Sequence, residues 1–160
     1  MTQENKSLLL KVLCELLPYE VKVAFYLYVI DEWKTTILRS INPSEGTYRI
    51  GNQDYNDWAR IKPYLRPMSS MTEEEAKCLF LLHNEDRKEC EILKVSIDKD
   101  YIVFEIDDGC CSFERHTIWF EDAVASIESL DWLNINHFDY RGLIPKGLAI
   151  AVTEENNPYK

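Results

Sequence analysis

The densest set of reactive side chains is His137-Phe138-Asp139-Tyr140-Arg141-Gly142, where an imidazole, a carboxylate, a phenol and a guanidinium fall within six residues. Arg141 and His137 are charge-assisted donors suited to a small anion or a peptide, with Tyr140 between them. The plainer account is a turn after a helix: His137 and Arg141 on late carbonyls, Phe138 and Tyr140 pinning the turn to the core, and Gly142 at positive φ. A second set runs through residues 34–66, where six basic side chains face three acidic ones. There Tyr48, Tyr55, Trp58 and Tyr64 are interleaved with Arg39, Arg49, Arg60, Lys62 and Arg66. Cations mixed with stacking rings are what a single-stranded nucleic acid requires. Trp58, Arg60, Lys62, Tyr64 and Arg66 are therefore candidate contacts. The plainer account is a mildly basic sheet face docked on the acidic half of the chain.

Other chemistries find less support. His83, His116 and His137 share no ligand-spaced motif, and Cys110-Cys111 is not a C-x-x-C pair, so no metal and no cofactor is expected. A thiolate at Cys110 or Cys111 would need a base such as His116. On an extended strand Cys110 and His116 lie about 20 Å apart, so a dyad would require a bend. Cys78, Cys90 and Cys111 are expected as buried small hydrophobes. His83 is expected to end a helix, where an imidazolium suits the dipole. Neither a phosphate-binding glycine loop nor a G-x-S-x-G elbow occurs. The acid pairs Asp107-Asp108 and Glu121-Asp122 read as turns and solvated faces, and Asp98–Asp108 lacks the calcium-loop pattern.

The elements that would position these groups follow from periodicity. Leu9, Val12, Leu13, Leu16 and Leu17 predict a helix over 4–17, stopped by Pro18. The β-branched and aromatic run 21–30 predicts a strand with both faces at least half buried. Residues 34–41 alternate, placing Thr35, Ile37, Arg39 and Ile41 on one side. With 47–50 they complete an antiparallel meander after the turn at 42–46. A helical turn begun by Asp54 comes next, and Lys62–Pro67 is extended because each proline restricts its predecessor. Thr72-Glu73-Glu74-Glu75 is a capping box opening a helix over 72–84. Strands over 93–97, 101–106 and 110–118 form a second meander. Phe120, Val124, Ile127, Leu130, Trp132 and Leu133 predict a helix over 120–136. Helices and hairpins are segregated, so the fold class is α+β: two short antiparallel meanders packed with three helices.

The 160 residues carry 18 basic and 28 acidic side chains, a formal charge of −10. With 46% apolar residues the chain is globular, long enough for one domain over 1–152 without disulfide or metal, followed by a frayed tail at 153–160. The start lacks a basic segment and an apolar secretory stretch, and five cysteines fit no disulfide framework, so a cytoplasmic protein is expected. The charge is uneven. Residues 1–70 hold nine basic and eight acidic side chains, and residues 71–160 hold nine and twenty. The acidity therefore argues against nucleic-acid binding for the whole surface but not for the first half.

Two longer segments carry a resemblance: Lys62-Pro63-Tyr64-Leu65-Arg66-Pro67-Met68-Ser69-Ser70-Met71-Thr72-Glu73-Glu74-Glu75, and Asp131-Trp132-Leu133-Asn134 followed by His137 through Ala149. With Leu16-Leu17-Pro18-Tyr19 they resemble a family of small uncharacterised proteins from phages, prophages and mobile elements of Bacteroides-type gut bacteria. That family's usual pattern has glycine after Leu-Pro-Tyr, where Glu20 stands here; glycine would allow positive φ. The resemblance implies no catalytic residue. Together with the lack of any motif for chemistry and the many aromatic residues, it leads to the expectation of an accessory protein of a phage or mobile element, non-enzymatic, whose partner is another protein. The alternatives are a nucleic-acid-binding or DNA-mimicking protein, and a small hydrolase assembled from distant residues.

Overall fold

In chain order the elements are α1 (Gln3–Leu16), β1 (Lys22–Leu27), β2 (Glu32–Asn42), β3 (Thr47–Ile50), β4 (Gln53–Tyr55), β5 (Ile61–Leu65), α2 (Glu73–His83), β6 (Glu91–Ile97), β7 (Tyr101–Asp107), β8 (Phe113–Trp119), α3 (Ile127–Ile135) and β9 (Ile150–Ala151). This is an α+β fold. It is a computed structural model that describes residues 1–84, 90–107, 109 and 113–160. Two compact units build it, one of 1–66 with 134–160 and one of 67–133.

In the first unit, the Thr2 hydroxyl caps α1 by accepting from the Asn5 amide. Leu9, Val12, Leu13 and Leu16 recur on one face and are buried. The helix ends before Pro18, and Glu20 follows in the left-handed region at φ 55°. The sheet order is β4-β3-β2-β1-β5-β9. All its neighbours are antiparallel except β5 and β9. The Lys62–Pro67 stretch, read from sequence as merely extended, thus supplies β5 beside β1. It tolerates Pro63 because the two-residue β9 meets β5 only at Tyr64 and Leu65. Val23, Phe25, Ile61 and Leu65 turn inward against the buried face of α1, in one core with Leu38, Tyr48 and Trp58.

Three expectations for this unit change. β1 stops at Leu27, and Tyr28, Val29 and Ile30 form an exposed hairpin tip closed by Asp31 at φ 55°. A bulge between Leu38 and Ser40 shifts the alternation of β2, so Ile41 packs on the core instead of sharing a side with Thr35 and Ile37. The helical turn expected at Asp54 is β4; the turn lies at Trp58–Arg60, capped by Asp57, whose carboxylate accepts from the Ala59 amide.

In the second unit α2 opens with both bonds of the expected capping box. The Glu75 amide donates to Thr72 Oγ1 at 3.2 Å and the Thr72 amide to Glu75 Oε2 at 2.8 Å. Phe80 of α2 packs on Phe104 and edge-on to His116. The antiparallel sheet β6-β7-β8 places Ile102, Phe104 and Ile106 in this core. The long helix expected over 120–136 is broken. A 3-10 turn at Phe120–Asp122 precedes α3, which starts only at Ile127. Ser126 and Ser129 fix that start. Ser126 Oγ accepts from the Ser129 amide, and Ser129 Oγ accepts from the Ser126 and Ala125 amides. This is a capping box with serine in the place of glutamate. Val124 and Ile127, expected in the buried stripe, are exposed. Cys78, expected to be buried, is exposed as well.

The charge follows the units. The first holds twelve basic and eleven acidic side chains, the second six and seventeen. No helix among the described residues is long and apolar enough to cross a membrane.

Candidate functional site

Strand alternation gives the larger sheet a second face, turned away from α1. Val23 and Phe25 point into the core, so Lys22, Ala24 and Tyr26 point outward. The register sets Tyr26 opposite Trp33, Ala24 opposite Thr35 and Lys62, and Lys22 opposite Ile37. The outer face therefore runs from two rings at the hairpin end to cations at the other. The Tyr26 ring lies 5.3 Å from that of Trp33 and 5.2 Å from that of Tyr28. Lys62 Nζ stands 5.8 Å from the Trp33 ring centre, within cation–π range. Tyr64 and Thr35 share a hydroxyl hydrogen bond of 3.1 Å. Trp33 is 45% exposed and Tyr28 63%. Lys22, Arg39 and Lys62 have no carboxylate partner among the described residues. The nearby carboxylates Asp31 and Asp57 accept from the Tyr26 and Tyr28 hydroxyls, which raises the pKa of both phenols.

The structure divides the basic aromatic residues of 34–66. Lys62 and Tyr64 reach the outer face. Trp58 is buried and donates to the Gly46 carbonyl at 3.0 Å. Arg60 donates twice to the Tyr26 carbonyl, at 3.0 and 2.8 Å, with its guanidinium between the Phe25 and Tyr28 rings. It braces the hairpin. Arg66 lies over the Phe138 ring at 4.2 Å. Arg49 forks onto Asp54, and this ion pair holds the Asp54 carboxyl below its usual range. Tyr26 and Trp33 are the residues that sequence reasoning missed. The run 21–30 reads as at least half buried on both faces, and only the pairing with β2 shows that Tyr26 and Trp33 share the outer one.

The 137–142 segment is a tied turn. Asp139, 8% exposed, accepts from the Leu143 and Ile144 amides, both at 2.7 Å. Burial raises its pKa against the pull of those bonds. Arg141 forks onto Glu15 of α1 at 2.9 and 2.8 Å rather than onto helix carbonyls. The Tyr140 hydroxyl meets Glu15 and Asn134, both at 2.9 Å. The expected positive φ occurs at Gly142 and also at His137. The His137 ring stacks on Tyr159, centroids 4.1 Å apart, and its Nδ1 is buried with no hydrogen-bond partner. Burial first, then the charge of Arg66, lowers its pKa to about 4.

Tyr159 belongs to the segment expected to fray. Its hydroxyl accepts from the Lys22 amide at 3.2 Å and donates to the Tyr64 carbonyl at 3.0 Å. Extending the β1–β5 register by one pair sets Lys22 opposite Tyr64. The phenol thus sits between two groups that would otherwise bond each other, and it anchors the chain end to the sheet.

In the second unit His83 Nε2 lies 2.7 Å from the Ala123 carbonyl. Across β6, β7 and β8, Lys94, Glu105 and Arg115 form a row of mixed sign. Among the described residues no three His, Cys, Asp or Glu side chains are placed to hold a metal ion. Cys110 and Cys111, and the thiolate reading with them, lie outside the described residues. Compared with protein-family models, with curated proteins and with solved structures, this chain matches none.

Proposed function

We propose that the chain is an accessory protein that binds single-stranded nucleic acid on the outer face of its six-stranded sheet. One observation carries this reading: the exposed Trp33 ring and the half-buried Tyr26 ring share that face with Lys22, Arg39 and Lys62, which lack carboxylate partners among the described residues. Base stacking on such rings contributes about 1–3 kcal/mol per base and tolerates any sequence, while lysine and arginine track the phosphates. A protein partner at this face would gain less from unpaired cations, since interface centres are depleted of lysine. The near-neutral charge of the first unit removes the objection raised by the total of −10. The resemblance to phage and mobile-element proteins supplies a setting in which single strands occur.

The test is fluorescence anisotropy of a labelled 12-nucleotide dT strand in low salt. Binding is expected to weaken as salt rises. Trp33→Ala should weaken it by about tenfold, the equivalent of one lost stack, and Lys62→Glu should flatten the salt dependence. No binding at 20 mM salt refutes the proposal and leaves a protein partner as the reading to pursue.

A further inference from the structure

Beyond the rings, the outer face deepens into a groove of about 560 Å³. Lys22, Thr35 and Arg39 line it, together with Gly51 and with Asn156 and Pro158 of the chain end. Beside the groove, Tyr159 holds that end against the sheet, and Asn156 donates to the Ala151 carbonyl. Its volume lies in the range of small-molecule sites, about 300–1,000 Å³. Its lining has two cations and no carboxylate. Glu154 and Glu155 stand on the same turn as Asn156 but do not line it.

We infer that this groove is a subsite for a phosphate monoester, as borne by the end of a strand or by a free nucleotide. A backbone diester carries one negative charge, whereas a monoester carries about −1.5 to −2 at neutral pH, matching two unpaired cations in one cavity. The Thr35 hydroxyl can donate into the site while it accepts from the Tyr64 hydroxyl. From Trp33 to Ile37, beside Lys22, is four residues of β2, about 13 Å at the strand rise, within the footprint of a short strand. A strand with its bases on Trp33 and Tyr26 can therefore end with its terminal phosphate in the groove. The inference rests on the proposed use of this face.

Four probes test it: dT 6-mers with a 5′-phosphate, a 3′-phosphate or neither, and thymidine monophosphate alone. Binding is followed by anisotropy and by the amide shifts of Thr35, Thr36 and Gly51. One phosphorylated strand is expected to bind about fivefold more tightly than the bare strand in low salt, as for two exposed ion pairs. The preference should fade below pH 6 as the monoester dianion takes up one proton and becomes a monoanion. Lys22→Gln with Arg39→Gln should abolish it, while Trp33→Ala weakens all strands alike and keeps the ratio. Equal binding of all three strands, with no groove shifts from the nucleotide, overturns the inference and leaves the stacking face intact. Groove shifts from the nucleotide with no strand binding would instead refute the function proposed above and keep the subsite.

Discussion

Tyr159→Phe removes one hydroxyl and tests how the chain end is held. The lost group bridges the Lys22 amide and the Tyr64 carbonyl. A net hydrogen bond is worth about 1 kcal/mol, and a buried donor left unpaired costs about 1–3 kcal/mol. The ring stays, so its stack on His137 and its apolar burial persist. The expected loss is therefore about 2 kcal/mol, the lower end applying if β1 and β5 close to pair directly. Two readouts follow. The urea midpoint should fall by about 1 M at an m-value near 2 kcal/mol/M. Hydrogen exchange at the Lys22 amide should speed up about 10- to 100-fold, since each 1.4 kcal/mol is tenfold. Unchanged exchange at Lys22 would refute the bridging role of the hydroxyl. A lower midpoint with unchanged exchange would place its contribution elsewhere.

Three further outcomes are expected. Asp139→Ala orphans the Leu143 and Ile144 amides, so unfolding experiments should show a loss of about 2–5 kcal/mol; a loss below about 1 kcal/mol refutes the role of the carboxylate in tying the turn. Glu20→Gly relieves a left-handed residue, a cost of about 1–2 kcal/mol, against the added freedom of glycine in the unfolded chain, so the urea midpoint should rise by about 0.5 kcal/mol equivalent; destabilisation contradicts the reasoning. His137 is held neutral in the fold, with its pKa lowered from 6.5 to about 4. Its stabilising contribution is thus complete above the unfolded value and is lost as pH falls from about 6.5 to 4. Residual solvent screening of the partly buried ring limits this to about 1–2 kcal/mol, and His137→Phe should flatten the pH dependence of stability across that window.

What could be read from sequence was mostly local. The Thr72 capping box, the stop at Pro18 and the apolar face of α1 each depend on residues within one or two turns. The start of α3 is also local, yet Ser126 and Ser129 escaped because serine does the work usually given to glutamate. β5 escaped for another reason: two prolines mark the stretch as extended, but only β1 lying beside it makes it a strand. The charge imbalance was visible along the chain, and it falls on the boundary between the two units.

The candidate site was half legible. Lys62 and Tyr64 were singled out with Trp58, Arg60 and Arg66, as one basic aromatic set. The structure buries Trp58, spends Arg60 on the Tyr26 carbonyl and sets Arg66 over Phe138. His137, Tyr140 and Arg141 looked most like a site by composition. Arg141 and Tyr140 are instead engaged by Glu15, more than a hundred residues away in sequence.

By itself the sequence determined the α+β class, the helix caps and the uneven charge, because these arise from propensities and hydrogen bonds between near neighbours. Tertiary structure decided which cations stay unpaired and which rings face outward. A side chain's partner is set by strand register, and register is set by contacts between segments far apart in the chain. Trp33 meets Tyr26 and Lys62 only when β2, β1 and β5 lie side by side, and the groove beside them takes part of its lining from a chain end whose Tyr159 is bound to the sheet.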